Sequence, residues 1–77
     1  MLNSELNIGD RVVLIDMKGE SQMSYGDIGV VTGIDNFNGI KQYRVNWDNG
    51  SKLSLLSDSD KWMKEDEFIE MKKKKKQ

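Results

Sequence analysis

The 77-residue chain carries 12 Lys+Arg against 13 Asp+Glu, a net charge of −1, and contains no Cys, His, Pro or Ala. A chain of this length holds one domain, whose core supplies about 3–5 kcal/mol of net stability. Lack of Cys and His excludes disulfide frameworks, thiolate chemistry and the usual zinc sets, and lack of Ala removes the best helix former.

Residues 1–7 are polar and read as a flexible lead-in, and Ile8-Gly9-Asp10 marks a turn. Residues 11–17 form the first predicted strand, with Val12 and Leu14 on one face and Val13 and Ile15 on the other. Both faces are apolar, so the strand is expected to be covered on both sides. Residues 18–27 (KGESQMSYGD) form a polar loop longer than a simple hairpin needs, a length that often carries function.

The second predicted strand, 28–35, contains Gly29 and Gly33, which mark bulges or bends. Asn38-Gly39 is a hairpin pair within the turn 36–39. In the third strand, 41–48, Tyr43, Val45 and Trp47 alternate with Arg44, Asn46 and Asp48, one buried face and one wet face. Asn49-Gly50 signals a second hairpin into a fourth strand over 51–57, with Leu53 and Leu55 on one face.

Residues 57–60 (SDSD) read as a short turn or one turn of helix, and Phe68-Ile69 as a short closing strand. A helix over 61–70 competes with that assignment, because Glu, Lys and Met favour helices. Residues 72–77 are a charge run expected to be disordered. The five lysines Lys72 to Lys76 leave 7 Lys+Arg and all 13 Asp+Glu in residues 1–71, so the body has a net charge of −6 and the tail is basic. Five short strands bounded by Gly and Asn/Asp turns predict an all-β fold, a single small barrel over 8–71.

Three segments in order, Ile8 to Val12 (IGDRV), Gly26 to Asp35 (GDIGVVTGID) and Val45 to Ser51 (VNWDNGS), resemble SH3-like barrels of a short domain-of-unknown-function family found in phages and their bacterial hosts. The WDNGS stretch also resembles the mind bomb/HERC-type repeat, a peptide-binding module of ubiquitin ligases, and a looser likeness extends to KOW and Tudor-like barrels. The resemblance covers about residues 8–68 and implies an SH3-like barrel of phage or mobile-element origin. The richness in Lys, Asn, Ile, Asp and Ser also suits an AT-rich coding sequence.

Catalysis is not expected. There is no His to act as a base, the carboxylates Asp35, Asp48, Asp58 and Asp60 fall at turns or wet faces, and no Ser or Thr has an activating partner. No cofactor is expected. Asp58-Ser59-Asp60 begins like a calcium loop, but Met63 and Ile69 stand where the loop needs Gly and Glu, so no metal is expected either. No apolar run approaches the roughly 20 residues that cross a bilayer, and the first ten residues have no signal-peptide pattern. The expected location is therefore cytoplasmic, in the host if the chain is phage-encoded, with no membrane contact.

Trp47 is expected in the core. Trp62 either caps the barrel end or faces outward as an anchor. Met23, Tyr25, Phe37 and Trp62 are the candidate partner-binding residues, an apolar patch beside a groove between the loops 18–27 and 36–40. The bland reading has some of them plugging the barrel ends. The expected function is a non-catalytic protein-binding module, an accessory protein that engages host or viral machinery. One alternative is a nucleic-acid-associated module that touches phosphates through Lys72, Lys73, Lys74, Lys75 and Lys76 only, since the acidic body repels them. Another is a structural or oligomeric subunit that pairs through a sheet edge.

Overall fold

The computed structural model describes residues 2–17, 19 and 21–74. Five strands form one antiparallel sheet: β1 (Arg11–Asp16), β2 (Ile28–Phe37), β3 (Ile40–Trp47), β4 (Leu55–Leu56) and β5 (Lys61–Lys64). A helix, α1 (Glu65–Lys74), follows β5 directly. The spatial order is β4-β3-β2-β1-β5, so β4 and β5 are the two edges.

The central hairpin forms where its turn chemistry demands. Asn38 and Gly39 both adopt positive φ, 53° and 84°, the geometry of a two-residue turn whose twist matches the strands it joins. Phe37 pairs with Ile40 beside it, and the register continues through Ile34 opposite Tyr43. Between Val31 and Gly33 the register shifts, placing an extra β2 residue opposite Arg44. This bulge resets the alternation, so that Val31 and Ile34 both face the core although an odd number of positions separates them.

Leu6, Val12, Leu14, Val31, Tyr43, Val45, Trp47, Leu55 and Trp62 make the main core, with Met23 at its margin. Tyr43 meets Trp62 edge to face, ring centroids 5.4 Å apart, a geometry that adds about 0.5–1.5 kcal/mol beyond area burial. Val13 and Met63 lie opposite each other in register, buried outside that cluster. They face the other side of the sheet, as strand alternation requires. There α1 packs on β1 and β5, and Arg11, which shares a face with Val13, pairs with Glu65 at 2.7 Å. The first strand is thus covered on both sides.

Several expectations are corrected. The fold is mixed α/β, not all-β: Phe68 and Ile69 belong to α1 rather than to a closing strand. Glu65, Asp66 and Glu67 in its first turn and Lys72, Lys73 and Lys74 in its last complement the helix dipole. The closing strand is instead Lys61–Lys64, and the helix takes in Lys72 to Lys74 of the run expected to be disordered. Lys75, Lys76 and Gln77 lie outside the described residues.

The SH3-like barrel, with its mind bomb, KOW and Tudor-like comparisons, is also overturned, because the sheet is open. The fourth strand shrinks to two residues since residues 51–53 satisfy their polar groups locally. The Ser51 N–H donates to Asn49 Oδ1, the Leu53 N–H donates to Ser51 Oγ, and Trp47 Nε1 donates to the Leu53 carbonyl. On the opposite edge, the outward groups of β5 go to the N-terminal segment. The Asn3 N–H donates to the Trp62 carbonyl, the Trp62 N–H donates to Asn3 Oδ1, and Asn3 Nδ2 donates to the Asp60 carbonyl.

Residues 2–7, read from sequence as a loose lead-in, form a strap that ties β5 and α1 to β3. Trp62 Nε1 donates to the Ser4 carbonyl, Ser4 Oγ hydrogen-bonds Glu67, Lys41 pairs with Glu5 at 2.9 Å, and Leu6 is only 1% exposed. The strap also bears on Trp62 itself. Of its two readings, the outward anchor is excluded: Trp62 points inward and lies in the core at 1% exposure.

Candidate binding surface

The β1–β2 loop is held at both ends and pinned in its middle. The Gly26 N–H donates to the Leu14 carbonyl and the Leu14 N–H to the Asp27 carbonyl, each at 2.8 Å. Asp27 Oδ2 accepts the Ser24 N–H at 2.8 Å and Asn49 Nδ2 at 3.1 Å, tying the loop to the Asn49-Gly50 turn. Gly26 supports the tight exit with φ 90°. Met23 turns inward, 8% exposed, and acts as the loop's apolar peg. Tyr25, two residues on, turns outward and stays 57% exposed.

Tyr25 nevertheless does not hang free. Its ring stands edge to face on Phe68 of α1, centroids 5.8 Å apart at 61°. The ammonium of Lys72 lies 5.5 Å from the Tyr25 centroid and 5.3 Å from that of Phe68, within cation–π range of both rings. Ile69, the next residue of α1, is a further exposed apolar side chain. A loop residue and a helix turn thus build one small aromatic surface with a cation resting on it.

The four partner-binding candidates do not converge. Met23 and Trp62 are in the core. Tyr25 and Phe37 are exposed, but at opposite ends of β2, whose ten residues run a contour of about 30 Å. The groove expected between loops 18–27 and 36–40 is therefore absent among the described residues, because the first loop neighbours the 49–50 turn and α1 instead. Sequence reading missed Phe68. The signal was there, as the pair Phe68 and Lys72 at helical i, i+4 spacing between an acidic start and a basic end. Lys72, Lys73 and Lys74 are exposed on the last turn of α1, while Lys75 and Lys76 lie outside the described residues.

The perturbed ionisable groups brace the frame rather than this surface. Hydrogen bonding to Lys41 holds the Glu5 carboxyl below its ordinary range, and the same pair raises Lys41. The Arg11 guanidinium is raised by its bond to Glu65. Burial pushes the Asp60 carboxyl up, opposed by the Leu56 N–H that donates to it at 2.8 Å. Among the described residues no group of three or more His, Cys, Asp or Glu could hold a metal ion, and no helix is long and apolar enough to cross a membrane. An open depression of about 450 Å³ beside the 49–50 turn is lined by Gln22, Asn49, Gly50 and Ser51 and is separate from the Tyr25–Phe68 surface.

Two comparisons with known proteins are empty: no curated protein and no solved structure matches the chain. A family model described as Domain of unknown function (DUF4314) matches residues 1–64. The matched stretch includes the N-terminal strap and ends on the last residue of β5, so α1 lies beyond it.

Proposed function

This chain belongs to the family described as Domain of unknown function (DUF4314), and we propose that it is a non-catalytic protein-binding module docking through the surface where Tyr25 meets α1. The observation that carries the reading is a tyrosine 57% exposed yet already held in one orientation by Phe68. Tyrosines dominate interface hot spots, and a ring fixed in advance loses little conformational freedom on binding. The polar side chains around it are occupied in holding the loop: Asp27 accepts from Ser24 and Asn49.

Site-specific photo-crosslinking tests this. With p-benzoylphenylalanine at position 25 or at position 37, the full chain is irradiated in the source cell's lysate and the captured proteins are identified. Capture of one protein from position 25 and not from position 37 is expected. Tyr25→Ala should then weaken binding to that purified protein at least tenfold, about 1.4 kcal/mol. Capture from position 37 alone would move the docking surface to the β2–β3 hairpin tip, and unchanged affinity in Tyr25→Ala would end the reading.

A further inference from the structure

Lys72 rests where a ligand cation would rest. Its contact with Phe68 alone would say little, because residues four apart on a helix are neighbours. Tyr25, however, comes from the β1–β2 loop and meets the same ammonium at 5.5 Å. Two elements distant in the chain therefore assemble a two-ring seat, and the chain's own lysine fills it. That lysine is exposed, so an incoming cation can exchange with it.

Charges of both signs surround this exchange. Residues 1–71 have a net charge of −6, and α1 begins with Glu65, Asp66 and Glu67 and carries Glu70 in the turn beside Phe68. The carboxylates of the body attract positive charge and raise encounter rates with it, against the opposing charge of the lysines Lys72 to Lys76, the first three of them in the last turn of α1.

We propose that the Tyr25–Phe68 pair is the seat for an arginine or lysine of a basic peptide segment, and that Lys72 is a tethered occupant which this cation displaces. The proposal rests on the docking reading above and supplies the partner's chemistry. Lys72 lowers affinity for the partner and discriminates against neutral or acidic segments, which cannot replace it on the rings.

The test titrates the full chain with a Gly/Arg peptide and with its Gly/Glu counterpart, following the ring resonances of Tyr25 and Phe68 by NMR. The Gly/Arg peptide should shift both rings and the Gly/Glu peptide neither. Lys72→Gln should tighten Gly/Arg binding about 2- to 5-fold beyond Lys73→Gln, the factor set by one exposed cation–π contact. Lys73→Gln removes the same charge without touching the rings, so it carries any general electrostatic gain. Tyr25→Leu keeps apolar area and charge but loses a π face, and should abolish the ring-localised binding. Equal effects of Lys72→Gln and Lys73→Gln, or unchanged binding in Tyr25→Leu, would overturn the proposal. If crosslinking from position 25 captures a protein through a neutral or acidic segment, docking at Tyr25 stands and the cation seat does not.

Discussion

Truncating Leu6 to alanine asks whether the N-terminal strap belongs to the fold or merely lies on it. Leu6 is 1% exposed and packs in the main core, while its N–H reaches the Tyr43 hydroxyl at 3.4 Å. Leu→Ala at a buried site costs about 3–5 kcal/mol, from lost transfer free energy plus the cavity left behind. The whole domain holds only about 3–5 kcal/mol, so Leu6→Ala should be largely unfolded in buffer. Leu6→Val keeps the domain folded and makes the effect measurable, at about 1 kcal/mol.

Urea titration followed by the fluorescence of the buried Trp47 and Trp62 reports on both variants. With a slope near 1 kcal/mol per M, typical of small proteins, Leu6→Val should lower the midpoint by about 1 M. Leu2→Ala, on the same strap but at a residue 49% exposed, is the control and should stay within about 0.5 kcal/mol of the wild type. If Leu6→Ala and Leu2→Ala melt alike, residues 2–7 contribute nothing to the core and the strap is an ornament.

Asn3→Gly keeps the left-handed backbone at that position, φ 58°, but removes the side-chain bonds to Trp62 and Asp60. It should cost about 1–3 kcal/mol and selectively speed hydrogen exchange at the Trp62 amide. The two β2 glycines should respond differently to alanine. At Gly29 a Cβ would meet Val45 Cγ1 at 2.5 Å and the Asn46 carbonyl oxygen at 3.0 Å, whereas at Gly33 its nearest neighbours would be the flexible end of Arg44. Thermal melts should therefore place Gly29→Ala about 1–3 kcal/mol below the wild type. Gly33→Ala should lose no more than about 1 kcal/mol, the worth of the exposed Arg44–Asp35 pair. Burial raises the folded-state pKa of Asp60, so the native state holds its proton to higher pH than the unfolded chain does. Its contribution is then fully present below the ordinary carboxyl range and is lost as pH rises through the raised folded value. Asp60→Asn, which retains an acceptor for the Leu56 N–H, should flatten that part of the stability–pH curve. Parallel curves for the two proteins would count against a raised Asp60.

The alternation of Tyr43, Val45 and Trp47, the Asn38-Gly39 turn and the double-faced first strand could all be read in advance. Each depends on neighbours two to four positions away, where side-chain period and backbone sterics act directly. The fourth strand was overread because Leu53 and Leu55 alternate convincingly, while Ser51 and Asn49 bond the backbone away from the ladder. The aromatic surface was half legible. Tyr25 stood out as a loop aromatic, but its partner Phe68 was assigned to a strand, and strand and helix patterns are hard to separate over so few apolar residues.

What the sequence determined alone, then, was the local alphabet: where the chain extends, where it turns, and that it carries an acidic body with no Cys or His. Tertiary structure decided how the ends close. Asn3 and Trp62, 59 positions apart, share hydrogen bonds that no short-range pattern encodes. Once that strap occupies the outer edge of β5, the sheet remains open and Trp62 belongs to the core. The physical reason is that every buried N–H and carbonyl needs a partner, and the choice among distant partners is made only when the folded chain brings them within bonding distance.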